Sequence, residues 1–291
     1  MPAGRVHTSS LNDSLPTMIM SARQVREFEG VMSQLVDKKT LGRNMGLTWN
    51  EIDLAQLTAQ NIAETQTLDN PQLIVDTLFS ITPTVVGIQT FVSDRVRLRI
   101  AKPVVSQMGG LAQNAIQRLK DENGVTVLDG ATTSLAGAGT TLTSGHIQAA
   151  TRRISSNATE PGNKPYRTVL HGFQIKDIED EIRAGVGTDV LTEGLTARVF
   201  REHFEGMVGS SQLYEDGNIT IDSSDDAKGG TFAREAIVLV QGRSPWTETR
   251  REPHIGGGGD SVFMYDEYAY GERSSGNWLL ELYSDATAPT S

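Results

Sequence analysis

Between Ser106 and Lys120 the apolar residues fall at Met108, Leu111, Ala112, Ala115, Ile116 and Leu119. These are positions i, i+3, i+4, i+7, i+8 and i+11, a single stripe along a helix of about four turns. Such a stripe must be buried against another layer, so it limits the fold more than any other feature of the chain. Gly109 and Gly110 weaken the first turn, and Asp121-Glu122-Asn123-Gly124 is expected to stop the helix. Met108, Leu111, Ala115, Ile116 and Leu119 are expected as core. On that reading Leu111→Ala costs ~2–5 kcal/mol.

Other elements read from local pattern. Thr48-Trp49-Asn50-Glu51 has the spacing of a capping box, and Ile52, Ala55, Ala59, Ile62 and Ala63 follow at helical intervals, so a helix is expected to start at Thr48. Leu142-Thr143-Ser144 opens a helix through Ile147, Ala150 and Ile154. Tyr166–His171 reads as a strand, and Ile175, Ile178 and Ile182 mark a helix capped by Gly185. Leu191, Leu195, Val199, Phe200 and Phe204 suggest another helix. Asp216-Gly217 signals a hairpin within 212–222. Ala236–Val240 reads as a buried strand, and Val262–Tyr270 and Asn277–Tyr283 as two more. Residues 1–45 open with a polar stretch and a weak helical pattern from Val25 to Val36. Both a frayed terminus and a partner-binding arm fit them.

Residues 81–100 read as extended, with β-branched Thr84, Val85, Val86 and Ile88. Asp94–Ile100 alternates, placing Arg95, Arg97 and Arg99 on one face and Val96, Leu98 and Ile100 on the other. Two readings are open. The arginines form the solvated face of a half-buried strand, or they are an inter-subunit contact set against a neighbour's carboxylates.

Several chemistries lack their residues. The 291 residues include no cysteine, which excludes disulfides and thiolate metal sites. None of His7, His146, His171, His203 and His254 has zinc-hydrolase spacing. Gly137-Ala138-Gly139 lacks the third glycine of a dinucleotide fingerprint, and Gly256–Gly259 is followed by Asp260-Ser261, so it is no P-loop. Asp222, Asp225 and Asp226 do not match a calcium loop; a solvated loop and a cation or partner contact both fit them. No catalytic, cofactor-binding or metal-ligating set emerges. No segment has the length and hydropathy of a membrane span. With 26 basic and 36 acidic side chains the net charge is −10, which argues against electrostatic wrapping of nucleic acid.

Three stretches carry a resemblance. The first is Leu142-Thr143-Ser144 opening a helix, followed by Pro165-Tyr166-Arg167-Thr168-Val169-Leu170-His171-Gly172-Phe173-Gln174-Ile175-Lys176-Asp177-Ile178. The second is Asp226-Ala227-Lys228-Gly229-Gly230-Thr231-Phe232-Ala233-Arg234-Glu235-Ala236-Ile237. The third is Thr247–Pro253 with Tyr268-Ala269-Tyr270-Gly271. In this order they resemble the major capsid proteins of tailed bacteriophages with the Hong Kong 97-type fold, over residues 140–285. Residues 1–140 resemble them in layout only.

The resemblance implies an α+β fold with an N-terminal arm (1–45) and a helix plus extended β loop (46–105). It further implies a peripheral domain with a spine helix (106–140 and 245–291) and a central axial domain (141–244). The implied function is structural, not enzymatic, and without cofactors: self-assembly into hexamers and pentamers of an icosahedral head enclosing double-stranded DNA. The implied partners are other copies of the chain, a separate scaffolding protein, a portal and decoration proteins, with DNA held by enclosure and no membrane. The implied location is the virion, assembled in the host cytoplasm. An encapsulin-type nanocompartment shell is the alternative within the fold. A soluble binding module, or an α+β hydrolase using His171 or His203, is the alternative outside it.

Overall fold

The computed structural model describes residues 5–6, 28–65, 67, 71–99, 102–185, 206–274 and 276–290. The expected helix over Leu191–Phe204, His203, and residues 1–4 and 7–27 of the expected arm lie outside them.

The fold is α+β. Strands β1 (Arg5–Val6), β2 (Asp37–Thr40), β5 (Thr84–Ser93), β11 (Ile237–Arg251) and β12 (Gly259–Glu272) form a five-stranded sheet in the order β1-β5-β12-β11-β2. Strands β6 (Ser134–Ala136), β7 (Tyr166–Leu170), β8 (Met207–Val208), β9 (Ser211–Glu215), β10 (Asp226–Ala233) and β13 (Leu279–Asp285) form a second sheet, ordered β6-β13-β10-β7-β9-β8. Among the described residues, strands β3 (Trp49–Leu54) and β4 (Asp76–Ile81) pair only with each other. The helices are α1 (Met32–Leu35), α2 (Asp94–Arg99), α3 (Lys102–Asp129), α4 (Ser144–Ser155) and α5 (Gly172–Gly185). No helix among the described residues is long and apolar enough to cross a membrane.

The spine helix α3 has 28 residues, about 42 Å, and joins the two sheets. Midway, buried Lys120 donates to Asp266 on β12 (3.1 Å) and to Gln241 on β11 (2.6 Å). Further along, Leu128 packs on β10 where Gly230 leaves room for it. The expected stop at 121–124 is not a stop. Asp121 is a buried hydrogen-bond acceptor, and Gly124 lets the Met32 side chain and the Tyr270 ring approach the helix. The helix ends at Asp129, where the Gly130 N–H still bonds Thr126 O.

The core lies between the six-stranded sheet, α3, α4 and α5. It contains Leu128, Ile147, Ile154, Val169, Ile178, Phe232, Ile237 and Leu279. Helix α4 has its capping box, Thr143 with His146. The segment Ala236–Val240 is buried as expected, but β11 runs on to Arg251.

Three expectations fail. Residues 48–63 contain no helix. Trp49-Asn50-Glu51-Ile52-Asp53-Leu54 alternates with period 2, and β4 takes the other side of that pattern. Thr48 hydrogen-bonds Thr82 instead of capping a helix (3.3 Å). The ribbon at 94–99 is helix α2, because Ser93 Oγ accepts the Val96 N–H (3.3 Å) in the manner of an N-cap. The hairpin turn is not at Asp216-Gly217 but between β8 and β9, at Gly209-Ser210, both with positive φ. The two expected C-terminal strands are present as β12 and β13, and they lie in different sheets.

Residues 28–41, expected within the arm, are built into the body as a strap. Met32, Leu35 and Val36 are core residues, and β2 runs parallel to Val238–Gln241.

Candidate inter-subunit surfaces

The β3–β4 ribbon and the chain between its strands form a limb. One face of its base, with Trp49, Phe79 and Ile81, rests on Val238, Val240 and Ala269; Trp49 meets Phe79 edge-on at 6.2 Å. This foot contributes on the order of a few kcal/mol. Gly271 on β12 permits the contact, since a Cβ there would lie 2.7 Å from Ile81 Cδ1 and 3.1 Å from Phe79 Cζ. Arg273 pins the base by three bonds: to Glu51 Oε2 (2.8 Å), to Asp37 Oδ2 (3.2 Å) and to the Glu235 carbonyl (2.8 Å).

The other face is uncovered. Ile52 and Leu78, opposite each other in register, are 62% and 64% exposed. Leu54, Leu57, Ile62, Ile74 and Val75 are exposed as well, and Leu73 is 84% exposed. The ladder continues through the Ala55 N–H to Val75 O (2.9 Å), and Thr58 exchanges two hydrogen bonds with the Gln72 side chain. Residues 46–82 contain Glu51, Asp53, Glu64, Asp69 and Asp76, with no lysine or arginine. The limb is both apolar and purely acidic, and a patch of this kind marks an interaction surface.

The three arginines do not share a face. Helix α2 turns by about 100° per residue, so Arg95 and Arg99 lie one turn apart on one side and Arg97 on the other. Arg97 pairs with Asp260 at 2.5 Å. Arg251 binds Asp94 through both guanidinium nitrogens (2.7 and 2.5 Å) and reaches Asp260 at 3.5 Å. The Arg251 hydrogen bonds hold the Asp94 carboxyl below its usual range. Arg95 and Arg99 are exposed without an ion pair to a described residue, and Leu98 beside them is 85% exposed.

The stripe of α3 is divided. Ile116 and Ala112 are buried and Ala115 is half-buried, but Leu111 and Leu119 are each 39% exposed, which corrects their expected place in the core. The Met108 side chain lies outside the described residues.

The remaining candidates have structural partners. Asp222 accepts from the Ser224 N–H, the Asp226 N–H and the Tyr283 hydroxyl; these bonds lower its pKa. Asp226 accepts the Gly139 N–H. A cavity of 470 Å³ between α3 and residues 218–228 has Lys228 on its wall, bound to Asp129, and neither histidine nor serine in its lining. His171 Nδ1 accepts the Phe173 N–H (3.2 Å); burial lowers its pKa, and Glu215 acts on it only through space. No group of three His, Cys, Asp or Glu side chains is placed to hold a metal among the described residues.

Sequence reasoning assigned no role to Arg273, between the expected strands Val262–Tyr270 and Asn277–Tyr283, and named Gly271 only within a resemblance. No local signal marks them, because their partners lie near residues 37, 51 and 80.

No protein-family model matches the chain, and no curated protein matches its sequence. Solved structures match its fold. A structure from Mycobacterium phage Che8 has a TM-score of 0.70 at 14% identity, covering 90% of this chain and 94% of that one. The capsid of the cyanophage P-SCSP1u has a TM-score of 0.71 at 13% identity, covering 99% of both chains. The capsid of Ralstonia phage GP4 has a TM-score of 0.68 at 14% identity, covering 95% and 97%. The fold is that of phage capsid subunits of the Hong Kong 97 type, along nearly the whole chain.

Proposed function

We infer that this chain is a structural shell protein, the major subunit of a phage head. Copies close into hexamers and pentamers of an icosahedral container around double-stranded DNA, with DNA enclosed rather than specifically bound. The observation that carries this reading is the limb: an apolar, acidic projection that its own chain leaves uncovered on one face. A second copy offers the complement, since Arg95, Arg99 and Leu98 form an exposed basic and apolar site. Limb on α2 is thus the proposed inter-subunit contact, and it replaces the ribbon of three arginines. Many such contacts, each modest, become strong in a closed array.

The matching phage heads favour a DNA-filled head over an encapsulin-type compartment. The partners are a scaffolding protein, a portal and decoration proteins, and the product is a virion component assembled in the host cytoplasm. Among the described residues His171 has no hydrogen-bonded acid, and no catalytic role is proposed for it; His203 lies outside them.

Electron microscopy of the purified full-length protein, alone and with a co-expressed scaffold, tests the reading. Closed shells with five- and six-fold capsomers are expected. A monodisperse monomer under both conditions, at high concentration, would overturn it.

A further inference from the structure

Beneath the strap, two carboxyl groups meet away from water. Asp121 on α3 and Asp216 after β9 are both buried. Asp121 Oδ1 accepts the Met32 N–H (2.9 Å), and its Oδ2 accepts from Asn218 Nδ2 (2.8 Å). Asp216 Oδ1 accepts the Asn218 N–H (2.9 Å), while its buried Oδ2 has no hydrogen-bond partner. Asn218 thus bridges the two carboxyls, its N–H on Asp216 and its Nδ2 on Asp121, and Asp121 lies close enough to help raise the Asp216 pKa.

The strap lies directly on this pair. A Cβ at Gly30 would overlap the Asp121 carboxyl, and Phe28 packs over Gly217. The Met32 N–H ends on it, at Asp121 Oδ1. The titratable groups around it supply no positive charge. From β12 comes Tyr270, whose buried hydroxyl has no partner and whose pKa is raised by burial and by Asp121, with Tyr268 and Asp266 beyond. From the 215–218 turn comes Glu215, which faces His171. The strap's own Glu29 is exposed, and Arg167 binds the strap elsewhere, at the Leu35 carbonyl. Neighbouring Lys120 is committed to Asp266 and Gln241.

We propose that Asp121 and Asp216 are a proton-operated latch: a proton on Asp216 holds residues 28–36 on the spine helix, and its loss to water opens them. Burial first, and Asp121 second, push the Asp216 pKa up to about 7. Opening the strap wets both carboxyls and returns Asp216 to the ordinary range. The folded form therefore binds the extra proton, and the latch weakens as pH rises from about 4 to about 7.

Hydrogen exchange on the full-length chain, corrected for intrinsic rates, tests this at pH 5.5 and 8.5. The open population of peptide 28–36 should rise by about 30-fold between the two, while β10 (226–233) stays protected. Asp216→Asn is neutral at any pH, so its strap should stay closed at both. Asp121→Asn removes the neighbouring charge from the other side and should also flatten the response; it serves if the first variant does not fold. Equal strap protection at both pH values in the unmodified chain, or an undiminished rise in either variant, would overturn the latch.

Discussion

Arg273 Nε donates to Glu51 Oε2 at 2.8 Å, across 222 positions of sequence. The same guanidinium reaches Asp37 and the Glu235 carbonyl, so one side chain ties the limb, the strap and the body together. Removing it leaves the Glu235 carbonyl and Asp37 short of a donor. Arg273→Ala is expected to cost about 1–3 kcal/mol in denaturant unfolding, discounted because Glu51 is partly solvated. Proteolysis should then begin in residues 46–54. Unchanged limb protection would count against the pin.

The uncovered face of the limb gives a separation of effects. Ile52→Asn and Leu78→Glu touch nothing buried in the single subunit, so the melting curve should move by no more than about 0.5 kcal/mol. Shell yield by sedimentation should collapse, because a polar group would be forced into the inter-subunit contact. Normal shells from Leu78→Glu would remove this face from the assembly surface.

Arg95 and Arg99 should differ from Arg97. The Arg95→Glu/Arg99→Glu variant should stay folded yet fail to assemble, and milder reductions in assembly should follow Arg95→Gln as salt is raised. Arg97→Ala loses an exposed pair with Asp260, worth under about 1 kcal/mol, and should assemble. Light scattering of assembly against salt concentration checks both, and the reverse ranking would place the contact elsewhere.

Along the spine helix, Ile116→Ala is expected to cost ~2–5 kcal/mol and Leu111→Ala under about 1.5 kcal/mol in the unassembled subunit. Lys120→Met would strand fully buried Asp266 without its cation and should cost about 3–5 kcal/mol. Equilibrium unfolding of the three variants sets this order, and Leu111→Ala as the most damaging would contradict it.

Much of the architecture was readable because it rests on local pattern. The stripe from Met108 to Leu119 lies on the spine helix. Thr143 with His146 starts α4, Tyr166–Leu170 is β7, and the run at Ala236–Val240 is buried. The misreadings fall where one local signal serves two conformations. Thr48 and Glu51 have capping-box spacing, yet the same residues alternate as a strand once β4 is beside them. Arg95, Arg97 and Arg99 alternate on paper, yet one serine hydroxyl at residue 93 starts a helix.

The order of residues by itself determined the periodicities, the missing thiol chemistry and the acidic balance, since each depends on near neighbours or on composition alone. Tertiary structure alone decided that β12 and β13 part into separate sheets, that Leu111 faces water, and that Asp121 meets Asp216 under the strap. The reason is physical: those outcomes depend on which distant segment arrives to desolvate a side chain or complete its hydrogen bonds. The limb shows the division most plainly. Its acidity is written in residues 46–82, but its uncovered face exists only because Arg273 and Gly271 fix the opposite face to the body.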